Sequence, residues 1–200
     1  MRRASALLAL AALFAGCMGG GTAELAESEL PELVLQPGDL PEFERFDEGA
    51  LLSADMPTGQ RGDPGRFGRR GGWKARYKRS GTPETRGPLV VESRVDLFED
   101  DGGAAEDLDA YQASLADAEE GIVPELVTPA PELGTEAVAV TQLQENALND
   151  VRFFTITWRD ENVTASVLVN GFDGKLSLDE ALELARKQQR RIAAAAAESG

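Results

Sequence analysis

Nine cations crowd into residues 61–86, Arg61, Arg66, Arg69, Arg70, Lys74, Arg76, Lys78, Arg79 and Arg86, against only Asp63 and Glu84. The chain also holds one thiol, Cys17, and no histidine. Guanidinium groups present forked N–H donors that suit carboxylate or phosphate oxygens, so a segment of net charge +7 (nine minus two) is a candidate site for an anion. The candidate ligand contacts are Arg61, Arg66, Arg69, Arg70, Lys74, Arg76 and Lys78. The competing reading makes Lys74, Arg76 and Lys78 the solvated face of a strand, opposite Glu92, Arg94 and Asp96 as cross-strand partners. For the Gly-rich stretch bearing Arg61 to Arg70, a functional loop is weighed equally with a plain one. Without histidine there is no Ser-His-Asp or Cys-His apparatus and no imidazole metal site. Chemistry would have to come from carboxylates, hydroxyls, Lys or Arg. Asp96 or Glu99 could supply a working pair for hydrolysis of wall sugars. Glu99–Gly103, "EDDGG", lacks the alternating acid spacing of a calcium loop and reads as the cap of a helix. No metal or cofactor is implied.

Cys17 stands behind a short positive start, Arg2-Arg3, and an apolar run from Ala4 to Ala15 that closes on Ala15-Gly16. This is the layout of an export signal. Twelve helical residues reach about 18 Å, short of a bilayer core of about 30 Å. "LFAGC" resembles the lipobox of bacterial lipoproteins, with Phe14 where Leu is usual. The resemblance implies diacylglycerol on the Cys17 thiol, removal of residues 1–16 and a membrane-anchored product on the extracytoplasmic face. The alternative is an ordinary secreted protein cut at Ala15 or Gly16 with a spare thiol.

Formal charge is 20 minus 35, or −15, and −17 once Arg2 and Arg3 are removed. The remainder outside the basic segment is then −24. Such acidity favours solubility and makes nucleic acid an unfavourable partner for the surface as a whole. Membrane, an anionic small molecule, an envelope polymer or a protein remain as partners.

The positioning elements follow from periodicity. Residues 17–32 read as the lipidated cysteine and a flexible acidic tether, and 33–200 as one domain. Short strands are expected at Leu33–Leu35 or Phe43–Phe46, and a loop over Ser53–Gly72. "WKARYKR" and "LVVESRVDLF" alternate with the period of half-buried strands. A helix is expected from Ala104 to about Glu120, with Ala104, Leu108, Tyr111, Leu115 and Ala118 on one stripe and Asp101 as cap. Ala137–Val140 is a further strand, and Val151–Trp158 with Val163–Val169 a hairpin. Ser177 and Glu180 form a capping box for a last helix with Leu178, Leu182, Ala185 and Ile192 inward. Its Arg186, Lys187, Arg190 and Arg191 are assigned to the favourable end of the helix dipole. Hairpin-then-helix thus occurs twice, which predicts an α+β domain, an antiparallel sheet with two helices packed on one face.

From the lipobox, "VESRVDLFED" before an Ala-rich helix, and "TWRDENVTASVLV" before "LDEALELARKQQRRI", the chain resembles small secreted actinobacterial lipoproteins of unknown function. It is distantly similar to the extracellular sensor-type domains of that group. The resemblance implies a lipid-anchored binding or sensing module for an anionic ligand, envelope polymer or partner protein, and supplies no binding residues. The alternative is the carboxylate-based cell-wall hydrolase.

Overall fold

The computed structural model describes residues 24–51, 64–116 and 124–199. Seven strands form one sheet: β1 (Glu44–Ala50), β2 (Arg69–Lys78), β3 (Val90–Phe98), β4 (Glu125–Leu126), β5 (Glu136–Gln144), β6 (Val151–Asp160) and β7 (Val163–Phe172). Their order is β1-β2-β3-β7-β6-β5-β4, and every pairing is antiparallel. The helices are α1 (Leu30–Leu33), α2 (Asp101–Ala116) and α3 (Leu178–Ser199). The α+β class, the single antiparallel sheet and the doubled order, β2-β3-α2 and β6-β7-α3, are those the patterning predicts. The expected loop over Ser53–Gly72 ends earlier than anticipated, since β2 already starts at Arg69; its residues 53–63 lie outside the described segments.

Period-two alternation explains one face directly. Val91, Val95 and Leu97 of β3 line up with Val163, Ala165, Val167 and Val169 of β7, then Ile156 and Trp158 of β6, all buried in one cluster. α3 closes this face with Ala181, Leu184, Ala185, Ile192 and Ala196. Its buried stripe is rotated from the expected one, leaving Leu178 half-exposed. Ser177 and Glu180 cap it reciprocally: the Ser177 N–H donates to Glu180 Oε2 at 2.8 Å and the Glu180 N–H to Ser177 Oγ at 3.3 Å.

The placement of α2 differs from expectation. Its Leu108 and Tyr111 pack on Val138, and Thr164 Oγ1 donates to Asp107 Oδ2 at 2.8 Å. Both Val138 and Thr164 alternate with the α3-facing residues, so α2 lies on the opposite face and the two helices do not share one. The chain leaves β3 in mid-sheet and next enters β4 at the far edge, beyond β7, β6 and β5, and α2 lies in that crossover. Thr157, Thr164 and Ser166 alternate with the residues of the α3 face, and all three are buried. The α2 cap is Asp100, whose Oδ1 accepts from the Gly103 N–H at 2.8 Å, while Asp101 is the first helical residue. Ala118 and residues 117–120 of the expected helix lie outside the described residues.

The fold also begins earlier than Leu33. Leu25, Leu30, Leu33, Val34 and Leu35 are all buried, so residues 24–32 of the expected tether pack against the domain, and Leu33–Leu35 are no strand. Polar groups fix this strap. Asn162 Oδ1 accepts from the Leu25 N–H at 3.0 Å while its Nδ2 donates to the Leu25 and Phe98 carbonyls, both at 3.1 Å. Asn162 therefore ties the strap to the sheet. Ser93 Oγ accepts from the Leu35 N–H at 2.9 Å and donates to Gln188 Oε1 at 2.7 Å, joining strap, sheet and α3.

Tyr77 donates its hydroxyl to the Leu35 carbonyl at 2.6 Å. Burial pushes its phenol above the ordinary value of 10, against a partial counter-pull from Arg45. For a group whose folded pKa is raised, the stabilisation is complete below the unfolded value and is lost as pH rises through the folded one. Stability is therefore expected to fall above about pH 10 by a component that Tyr77→Phe removes. Urea midpoints at pH 8 and pH 11 for both proteins check this; an identical alkaline loss in the variant would assign the effect elsewhere.

Candidate functional site

The sheet brings most of the basic segment onto β2, where neighbouring acids meet it. Lys74 Nζ lies 3.2 Å from Asp47, Arg76 lies 3.1 Å from Glu92 and 3.8 Å from Asp47, and Lys78 lies 4.0 Å from Glu44. Phe46 sits under two of these cations, 5.0 Å from Arg76 and 5.4 Å from Lys78. Three cations thus face three carboxylates on this strip, and the expected positive field is compensated locally. The cross-strand reading accounts for Arg76 with Glu92, while β1 supplies the other acids. Arg70 is shared between Glu24 and Glu27, each at 3.5 Å. Arg66 stacks on Phe67 at 4.4 Å and has no carboxylate partner among the described residues. Arg61 lies outside the described residues.

Arg69 is held inside the fold. A bulge at Arg69/Gly71 turns its side chain under the sheet, where Nε meets Asp96 Oδ1 at 2.7 Å and Nη2 donates to the Leu51 carbonyl at 2.9 Å. Arg94 approaches the other Asp96 oxygen at 3.4 Å. A Cβ on Gly72 would stand 2.6 Å from Asp96 Oδ1 and collide with the Arg69 guanidinium, so glycine there makes the room. Asp96 is therefore the centre of a buried ion-pair knot, and Glu99 is exposed beyond the strand end. The two arginines account for Asp96 as a structural acid.

A different set of arginines remains. α3 runs to Ser199, which places Arg186 to Arg191 in mid-helix with no basic residue in the last turn. The dipole acts within the terminal turn and cannot account for them. Arg191 pairs with Asp39 at 2.8 Å, and Lys187 donates to the Asp39 carbonyl at 3.1 Å while lying 3.8 Å from Glu183. Arg186 and Arg190 are exposed and have no ion pair among the described residues. They stand one turn apart on the wall of a cleft of about 620 Å³, with residues 131–136 opposite. That volume lies within the range of roughly 300–1,000 Å³ common for ligand sites.

Both walls are fixed. The Thr135 N–H donates to the Arg159 carbonyl at 2.9 Å. Gly134 has φ 53°, and a Cβ there would lie 2.9 Å from Trp158 Cδ1 in the core and closer still to the Arg159 carbonyl. Gln189 reaches from α3 to the Asp160 carboxylate. Like charges at i and i+4 oppose helix formation by a few tenths of a kcal/mol. Arg190 has no acid three or four residues away in either direction, and that was the legible signal of this pair. A smaller cavity of about 360 Å³ lies next along α3, beside Asp39 and Arg191, and Arg190 borders both. Among the described residues no cluster of three or more potential metal-ligating side chains occurs. No helix among them is long and apolar enough to cross a membrane.

No family model matches the chain, and no curated protein does. Among solved structures it is similar to the extracellular domain of PknH from Mycobacterium tuberculosis, with a TM-score of 0.63 at 13% identity. The match covers 87% of this chain and 100% of that one. At this identity the likeness establishes a shared fold.

Proposed function

We propose that this chain is an extracytoplasmic binding or sensing module, anchored through lipid on Cys17, whose α3 cleft receives an acidic group of its ligand between Arg186 and Arg190. The observation that carries the site is the pair of guanidinium groups left without carboxylate partners on the wall of an open cleft. The export-type start and the lipobox support the location. So does the sharing of a fold with a domain that is itself extracellular. The ligand role first considered for the β2 cations passes to α3, because acids of β1 and β3 already occupy Lys74, Arg76 and Lys78. The hydrolase reading gains nothing from Asp96, which is engaged by Arg69 and Arg94.

Native mass spectrometry of protein extracted from its own membranes tests the site. The wild type is expected to carry a small-molecule adduct that the R186E/R190E variant lacks, with equal thermal stability because both side chains project into solvent. The same adduct on both proteins, or on neither, would count against the cleft.

A further inference from the structure

The cleft is bipolar. Opposite Arg186 and Arg190, the loop wall carries Glu132 and Glu136. Glu132 is exposed and has no partner among the described residues, whereas Glu136 is already engaged, its Oε2 by Arg159 Nε and its Oε1 by Gln112 Nε2, each at 3.3 Å. No ion pair within 4.0 Å joins the two walls among the described residues. Opposite charges therefore face each other across a space that neither wall closes.

From this juxtaposition we infer that the ligand is a zwitterion, a short peptide or peptide-like molecule with a free ammonium group at one end and a carboxylate at the other. This rests on the cleft being the ligand site and narrows the chemistry it admits. A purely anionic ligand satisfies the arginines but brings its charge against the unpaired Glu132, and like-charge contact is how sites reject wrong partners. A zwitterion satisfies both walls. Size agrees. A volume of about 620 Å³ admits a ligand of a few residues.

The test is calorimetric titration of the purified protein with three probes: trialanine, N-acetyl-trialanine and trialanine amide. Trialanine is expected to bind at least tenfold more tightly than either capped form. Glu132→Gln should erase the penalty of acetylation alone, and R186Q/R190Q the penalty of amidation alone. All three positions are exposed, so the variants should fold as the wild type does. Equal affinity for trialanine and its acetylated form would overturn the zwitterion and leave the cleft as a site for acids. Absence of saturation by every probe would overturn the peptide ligand, while the adduct comparison between wild type and R186E/R190E judges the cleft separately.

Discussion

Replacing Asp96 by alanine is expected to lower the unfolding free energy by about 3–5 kcal/mol, the usual cost of removing one partner from a buried ion pair. The carboxylate side chain is 2% exposed and that of Arg69 7%, so water is a poor substitute for either. The loss is asymmetric: taking away the anion strands two cations, Arg69 and Arg94, under the sheet. Gly72 and the bulge at Arg69/Gly71 shape the backbone around this pair, which leaves little freedom to relax. For a chain of this size the melting temperature should fall by roughly 6–20 °C. Asp96→Asn keeps the volume and an acceptor and should cost less. A loss under about 1 kcal/mol for Asp96→Ala, the scale of exposed pairs, would mean the knot is hydrated.

Cys17→Ala is expected to move almost all of the protein from the membrane fraction to the soluble one. A single acyl chain binds marginally, whereas two or three chains, at about 0.8 kcal/mol per buried methylene, hold almost permanently. Deleting the sulfur removes every such chain in one step, and no helix among the described residues is apolar enough to replace it. Fractionation checks the distribution, and the mass of the mature polypeptide checks the lipid. Wild-type protein that is already soluble, or that carries a bare thiol, would contradict the anchor.

How far the fold was legible depends on where alternation and burial coincide. Val91, Val95 and Leu97 face a core made by β3, β7 and α3, and their period of two is enough to place them. Thr157, Thr164 and Ser166 obey the same period on the other face, but α2 buries them through contacts distant in sequence, such as Thr164 with Asp107. Small hydroxyl residues look alike under a helix and in water, so the side on which α2 packs was hidden. The strap was hidden for a related reason. Leu25 and Leu30 are single apolar residues in acidic text, and Leu25 is held by Asn162, more than a hundred residues away.

The candidate site shows the same division. The run from Arg61 to Arg86 is conspicuous because its cations are adjacent in sequence, yet the acids that compensate it, Glu44, Asp47 and Glu92, come from neighbouring strands. Arg186 and Arg190 were assigned to the helix dipole, which acts only within the last turn, whereas α3 continues past them through its alanines to Ser199. What made them available is a loop of residues 131–136 brought alongside α3 by the β5–β6 pairing.

The most direct test is a two-dimensional amide NMR map of the protein recorded with and without a soluble extract of its own cell envelope. The account predicts that shifts concentrate on Gly134, Thr135, Gln189 and Arg190, around the cleft. Shifts confined to Phe46, Arg76 and Lys78 on the β1–β2 surface, or no shifts at all, would contradict it.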